Sequence, residues 1–449
     1  MKILNSANSH CFRLIFFTGC WKQKMGYFHD LQPVASSQYN MTATLTPWNT
    51  IKASFISFRQ DIHSEPETAM TEFKTSAKIA NQIEALKPDR LLKLATTGLI
   101  ASVYPVTKAK VKNGLLFRAE LDALPIIEKS DLPYKSTIAG KAHLCGHDGH
   151  AVMLLATLKY AIELRDKGLL KSAAHFLFQP AEENGAGAKA VLADSAFDLK
   201  PDFTFSLHNI PGVELGKLLI KEGIFTPEVI SVIFSIEGYT SHSAQPHLGK
   251  NPALVIAEII AFMEKVHSYT SASKAGLSSL KDGDVVVAPV YIEMGQEDYG
   301  ISAGKAKVGY TFRTMQPNDF KSVKNKLIAL AEQLSKKFDI AISLDWDQYF
   351  AANVNDSDAS QMVEKAFSLA NFNIQRITSP FEWGEDFGII TQTFKGAMFG
   401  LGSGEKTPPL HNSYYNFPDE LLGNGVSAFV SILLQHNELD MKLIKNVFD

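Results

Sequence analysis

The stretch Leu144–His150, LCGHDGH, places a thiol and two imidazoles in one short segment, beside a carboxylate and two glycines. A thiol so placed can be a nucleophile, a redox thiol, half of a disulfide, a metal ligand or an inert buried side chain. Cys145 and His147 can reach a common ion if the backbone turns, and Gly146 and Gly149 permit that turn. A second cluster, Glu182-Glu183, follows the apolar run HFLFQP and precedes Gly185 and Gly187. Two adjacent carboxylates at a strand end cannot point the same way. One can bind a metal while its neighbour holds a water, the division of labour a metal hydrolase needs. A solvated acidic loop has the same composition. His208 closes the strand-like FTFSLHN and is expected at a sheet edge, outside the core. His411 lies in TPPLHNSYYNFPDE, a loop with no packing reason for an imidazole. Each histidine alone is better read as a satisfied structural side chain. Together the four places supply one thiolate, three imidazoles and one or two carboxylates. That set suits Zn, Mn, Co or Ni, and its size suits two ions better than one.

These clusters must be carried to one place, and the surrounding patterns indicate how. Ile51, Phe55, Ile56 and Phe58 fall near helical spacing, Pro66 breaks the run, and a second helix extends to about Leu86. GLIASVYP, GLLFRAELDALP, AAHFLFQP and DFTFSLHNI read as buried strands. AVMLLATLKYAIELRDKG, after the thiol segment, and AKAVLADSA read as helices. Alternating strands and helices argue for an α/β layer with a largely parallel sheet, whose sites form at strand ends. From about residue 227 to 352 the order becomes β-α-β-β-α-β, a ferredoxin-like unit inserted in the α/β chain. The α/β layer then resumes with a helix near ASQMVEKAFSLANF, the loop EWGEDFG, the strand GAMFGLGSG and a final helix from Asp419.

With 449 residues and 45% hydrophobic content, the chain can bury two cores. A net charge of −3 without a basic stripe argues against nucleic acid and anionic membrane as partners. Cys11, Cys20 and Cys145 are odd in number and form no C-x-x-C pair, so a disulfide framework is not expected and a reducing, cytoplasmic setting is. No apolar run is long enough to span a bilayer. Phe12–Cys20, FRLIFFTGC, is weakly like an export signal, but Arg13 interrupts it and polar WKQK follows. Residues 1–45 are therefore expected to be a disordered or mis-assigned extension, with Met41 an alternative start and export the less favoured reading.

At this point the chain resembles a known family, the amidohydrolase branch of the M20 metallopeptidases, which includes hippurate, N-acyl-amino-acid and auxin-conjugate hydrolases. The resemblance rests on DIHSEPE, FRAELDALP, HLCGHDGH, FQPAEENGAGA, SLHN, SHSAQPHLGKNP, GEDFG and PLHNSYYNFPDE, in the family's order from about residue 50 onward. It implies a zinc-peptidase-like α/β catalytic domain, residues 46–226 and 353–449, with an inserted ferredoxin-like lid and dimerisation domain, residues 227–352. It implies hydrolysis of an amide bond in a small N-acylated amino acid, by a homodimer with two divalent ions per subunit. Manganese is favoured, with zinc, cobalt or nickel as alternatives. By resemblance the metal ligands are Cys145, His147, Glu183, His208 and His411. Glu182 matches the general base, and Asp122 the carboxylate that orients a ligand histidine. His242 matches a lid histidine that reaches the partner's site and holds the reacting carbonyl. Arg313 matches a residue that grips a substrate carboxylate. Two departures stand out: Glu120 replaces a usual aspartate, and Gly300 and Ala303 replace the usual Asn and Pro of a substrate-binding loop. A dipeptidase or carboxypeptidase of the same superfamily is the rival activity, and a binding protein that lost its chemistry is the rival class.

Overall fold

The computed structural model describes residues 44–106, 114–266, 285–315 and 319–448. The N-terminal extension, with Cys11, Cys20 and Met41, lies outside them apart from its last two residues, of which Leu45 is buried. An eight-stranded sheet runs in the order Arg90–Leu94, Gly98–Val103, Ala174–Gln179, Leu115–Glu120, Phe203–Ile210, Gly396–Gly402, Leu218–Ile220, Ile374–Arg376. The central strands Ala174–Gln179, Leu115–Glu120, Phe203–Ile210 and Gly396–Gly402 are mutually parallel. They are apolar and almost wholly buried, as parallel strands covered on both faces must be. Alternation assigns their side chains to two cores. Leu115, Phe117 and Ala119 pack with the helices Trp48–Ser64, Phe73–Leu86, His147–Asp166, Ser357–Leu369 and Leu421–His436. Leu116 and Leu177 face the short helices Gly187–Ala193 and Phe387–Thr391.

The chain leaves Leu115–Glu120 for the strand on one side of it, Ala174–Gln179, then crosses to Phe203–Ile210 on the other. That reversal opens a crevice at the carboxyl ends of the strands. A second sheet, in the order Val285–Met294, Lys305–Thr314, Glu228–Glu237, Ala341–Phe350, is antiparallel throughout. With the helices Ala253–Val266 and Asp319–Phe338 it has the ferredoxin-like arrangement. Val232, Phe234, Ile259, Val308, Phe312 and Leu327 belong to a core drawn from this segment alone.

Two elements differ from expectation. The helix after the thiol segment begins at His147, so the segment's first histidine is already its first helical residue. The C-terminus holds two helices, Leu421–His436 and Lys442–Phe448, and Asp419 precedes the first of them. Among the described residues no helix is long and apolar enough to cross a membrane.

Candidate metal centre

The parallel strands deliver their carboxyl ends to one place. Leu115–Glu120 leads into Asp122, Ala174–Gln179 into Glu182 and Glu183, Phe203–Ile210 carries His208, and Gly396–Gly402 runs into the loop with His411. Cys145 and His147 come from the start of helix His147–Asp166. Gly146 caps that helix at φ +105, and a Cβ there would fall 2.3 Å from Asn209 Oδ1, so a side chain is excluded twice over. Gly149 has a different reason: it lies within the helix, and a Cβ would meet the Phe417 ring at 2.4 Å. His208 is buried, not at a sheet edge, because Gly396–Gly402 pairs on the far side of its strand.

Cys145 Sγ lies 3.5 Å from His208 Nε2. His147 Nε2 is 3.8 Å from Glu183 Oε1 and 4.0 Å from Glu182 Oε2, and His411 Nε2 is 3.6 Å from Glu183 Oε2. The donor atoms of Cys145, His147 and His208 lie within 4.8 Å of one another, as do those of Cys145, Glu183 and His411, and those of His147, Glu182 and Glu183. Cys145 is common to the first two groups.

Hydrogen bonds set the imidazoles for ligation. His147 Nδ1 donates to the Asp122 carbonyl at 2.9 Å and His208 Nδ1 to the Asn209 carbonyl at 2.9 Å. In the neutral ring each Nε2 is thereby the nitrogen left without a proton, turned into the cluster. His147 Nε2 and Glu183 Oε1 are buried without a hydrogen-bond partner. Such atoms cost about 1–3 kcal/mol each unless something binds them. His411 holds a left-handed φ of +64, and its N–H donates to the Leu144 carbonyl at 2.8 Å, docking its loop beside Cys145. His150 is spent otherwise: Nδ1 donates to Glu120 at 2.7 Å and Nε2 accepts from the Asn209 N–H at 3.2 Å.

The electrostatics favour a cation. Burial, with Glu385, Glu183 and Asp386 close by, pushes the Glu182 carboxyl well up. Burial also holds Glu183 up at about 7. The Cys145 thiol is raised by burial and then by Glu183 and Glu182. Burial works against a charge on His147, yet its bond to Asp122 and the fields of Glu120 and Glu183 raise it to about 10. A pocket that makes anions costly and pulls positive charge onto an imidazole is one that a divalent ion relieves.

Several residues that fix the two glutamates carry no local sequence signal. Glu72 Oε1 accepts from the Ala181 N–H at 2.9 Å, and Asp122 accepts from the N–H groups of Glu182 at 3.1 Å and Glu183 at 3.0 Å. Three consecutive N–H groups are thus held by two carboxylates, across a turn in which Ala181 takes φ +53. Asp122 therefore positions the glutamate turn as well as His147. Arg118, fully buried, pairs with Glu120, Glu385 and Asp386, and the Asp386 N–H reaches Glu182 Oε1 at 3.3 Å. Glu385 and Asp386 belong to the GEDFG motif, but their partner Arg118 could not be assigned from spacing. Replacing Glu72 by Ala orphans the buried Ala181 N–H and Thr97 hydroxyl. The expected loss is about 2 kcal/mol or more, read by denaturant unfolding of the folded chain.

His242, Gly300 and Arg313 belong to the inserted segment. His242 is exposed on the short strand Ser241–His242, and its Nδ1 accepts from the Ala244 N–H at 3.1 Å. Gly300 lies beside it, its carbonyl taking the Ser243 N–H at 2.9 Å, so the departing loop and the His242 loop are paired. Arg313 Nε donates to the Glu382 carbonyl at 2.9 Å, linking the antiparallel sheet to the loop that carries Glu385.

The model of peptidase family M20/M25/M40 matches residues 116–435 of the chain. An N-acetyldiaminopimelate deacetylase of Oceanobacillus iheyensis is 31% identical over 379 residues, 84% of this chain and 97% of that protein. Among solved structures, the Bacillus subtilis YXEP protein, described as a dinuclear metal binding peptidase of the M20 family, superposes with a TM-score of 0.69 at 23% identity, covering 86% of this chain and 99% of that one. An aminobenzoyl-glutamate utilization protein from Klebsiella pneumoniae gives a TM-score of 0.62 at 15% identity over 86% of this chain and 96% of that one.

Proposed function

Because the chain belongs to peptidase family M20/M25/M40, a family of hydrolases that cleave carbon–nitrogen bonds, we propose that it hydrolyses the amide bond of N-acylated amino acids or similar small conjugates. The observation that carries this reading is the convergence of Cys145 Sγ, the Nε2 atoms of His147, His208 and His411, and both carboxylates of Glu182-Glu183 at the ends of the parallel strands. Cys145, His147, Glu183, His208 and His411 would hold two divalent ions. When bound, the ions supply Lewis acidity toward the acyl oxygen and lower the pKa of the attacking water. Manganese, by family resemblance, and zinc, by its affinity for thiolate and imidazole, are the ions to reconstitute.

Glu182 acts as base and then acid. Its Oε1 takes the Asp386 N–H, while Oε2 faces His147 Nε2. It accepts the proton of the water that attacks the acyl carbon and returns it to the departing amine. Asp122 keeps His147 and the glutamate turn in register. His242, whose Nδ1 already accepts a backbone N–H, carries its proton on Nε2 and offers it to the developing oxyanion of a partner subunit. Arg313, anchored through Nε, gives its outer nitrogens to the substrate carboxylate.

We assign residues 46–226 and 353–449 to catalysis and 227–352 to a lid that also dimerises. The separate core of the inserted segment supports that division. Val290, Ile292 and Met294 are exposed on the edge strand of its sheet, with Leu254 exposed on the adjoining helix, and an exposed apolar edge favours pairing with a second copy. Ile292→Asp is expected to shift the chain from dimer to monomer in sedimentation and to lower activity with it, since His242 then lacks a partner site. A monomeric parent chain would contradict the assignment.

The test of the activity is a panel of acetyl-, benzoyl- and indole-acyl amino acids beside unblocked dipeptides. Release of free amino acid from the acylated set supports the proposal. Turnover of dipeptides alone would assign a dipeptidase, and no turnover with metal bound would assign a binding protein.

A further inference from the structure

Resting on that two-ion reading, we propose that Arg59 is a positioning residue: it ties the Cys145–His147 segment to the loop carrying His411 and so sets the affinity of the ion shared by Cys145, Glu183 and His411. Arg59 lies on helix Trp48–Ser64, far in sequence from every ligand, and is completely buried. Its Nη1 donates to Asp148 Oδ2 at 2.8 Å, and its Nε to Asp419 Oδ1 at 2.6 Å. Asp148 adjoins His147 in the first turn of its helix, and Asp419 closes the loop that contains His411.

The surroundings hold the guanidinium in that pose. Tyr134 and Phe417 rings stand 4.8 and 5.9 Å from it. His63 Nδ1 also reaches Asp148 Oδ2, at 2.9 Å, and its Nε2 faces Glu128 Oε1 at 3.3 Å. Gln60 Nε2 donates to the second oxygen of Asp419, Oδ2, at 2.7 Å. One planar fork therefore spans two carboxylates on two ligand-bearing segments from two separate nitrogens, a fixed geometry that the single nitrogen of a lysine does not reproduce.

The geometry also says which ion should suffer. Cys145, His147 and His208 come from the helix start and the adjacent strand, whereas the Asp419 side chain is hydrogen-bonded to Arg59 and Gln60. The group of Cys145, Glu183 and His411 needs the His411 loop as well. That loop is fastened near its ligand by the backbone bond from His411 to Leu144, and midway by the Ser413 carbonyl, which accepts the Lys129 N–H at 2.8 Å, and the Tyr415 hydroxyl, which accepts from Asn209 Nδ2 at 2.6 Å. Arg59 holds its far end, at Asp419.

The full-length chain, stripped with a chelator and titrated with Co(II), tests this. Cobalt absorption reports thiolate ligation by Cys145, and ion content is measured on the same samples. The parent chain should bind two ions. Arg59→Lys should bind the first as the parent does and the second about 10-fold or more weakly. Asp419→Asn, a milder change that carries the test if Arg59→Lys does not fold, should shift the same ion in the same direction. The double variant should be no weaker than Arg59→Lys alone, because both changes cut one link. Folded variants that bind both ions as tightly as the parent, or that weaken both equally, overturn the role of Arg59. A parent chain that binds fewer than two ions overturns the two-ion reading itself.

Discussion

Glu182→Gln keeps its metal and loses roughly three orders of magnitude or more in kcat, the upper part of the range for one acid–base group. The amide is isosteric, and its oxygen can still take the Asp386 N–H that Glu182 Oε1 accepts at 3.3 Å. The turn stays pinned, because Glu72 and Asp122 hold the backbone of residues 181–183 and not the Glu182 side chain. Glu183 and the imidazoles are untouched, so ion content is preserved. What disappears is a group able to take a proton from water and return it to the amine, both transfers at once. Steady-state turnover and metal content measured on one preparation check this. Near-normal kcat with metal bound would remove Glu182 from the role.

Cys145→Ala lowers metal content first, and activity falls as a consequence. Cys145 is the donor shared by the group with His147 and His208 and the group with Glu183 and His411, so its loss would weaken the hold on both ions. Burial and the neighbouring glutamates raise the thiol's pKa, so its thiolate form depends on bound cations. Ion binding by the parent chain should then release protons and weaken as pH falls, and the variant should release fewer. A loss of about 10-fold or more in ion affinity is expected, with partial recovery of turnover at high metal concentration. Unchanged metal content with activity lost would instead make Cys145 a nucleophile. What supports the ligand role is that Cys145 shares donor groups with His147 and His208 and with Glu183 and His411.

The candidate donors were legible because each sits in a short motif, and three of them follow or close an apolar run. Glu182-Glu183 after HFLFQP and His208 in FTFSLHN needed only strand periodicity to be placed at the carboxyl ends of strands. The α/β class and the ferredoxin-like order were legible for the same reason: their strands and helices are long enough to show a period. Strands such as Leu218–Ile220 and Ile374–Arg376 are too short to show one, and they went unread. The burial of His208 depends on Gly396–Gly402 pairing from far along the chain, which no local pattern reports. The supports are the least legible part. Arg59 to Asp419, Glu72 to the Ala181 N–H and Arg118 to Asp386 are long-range contacts of buried charged side chains whose sequence neighbourhoods read as ordinary helix or strand. A sequence can show which side chains are able to bind an ion, but what holds them in place is a property of the folded chain.

The central claim is that two ions held by Cys145, His147, Glu183, His208 and His411 make this chain an amide hydrolase. The direct measurement is release of free amino acid from the best acylated substrate while the metal-free chain is titrated with Mn or Zn. The account predicts negligible release without metal and a rate that climbs to a plateau at two ions per chain. Full-rate hydrolysis by a chain verified to be metal-free, or two ions bound with no release from any acylated substrate, would contradict it.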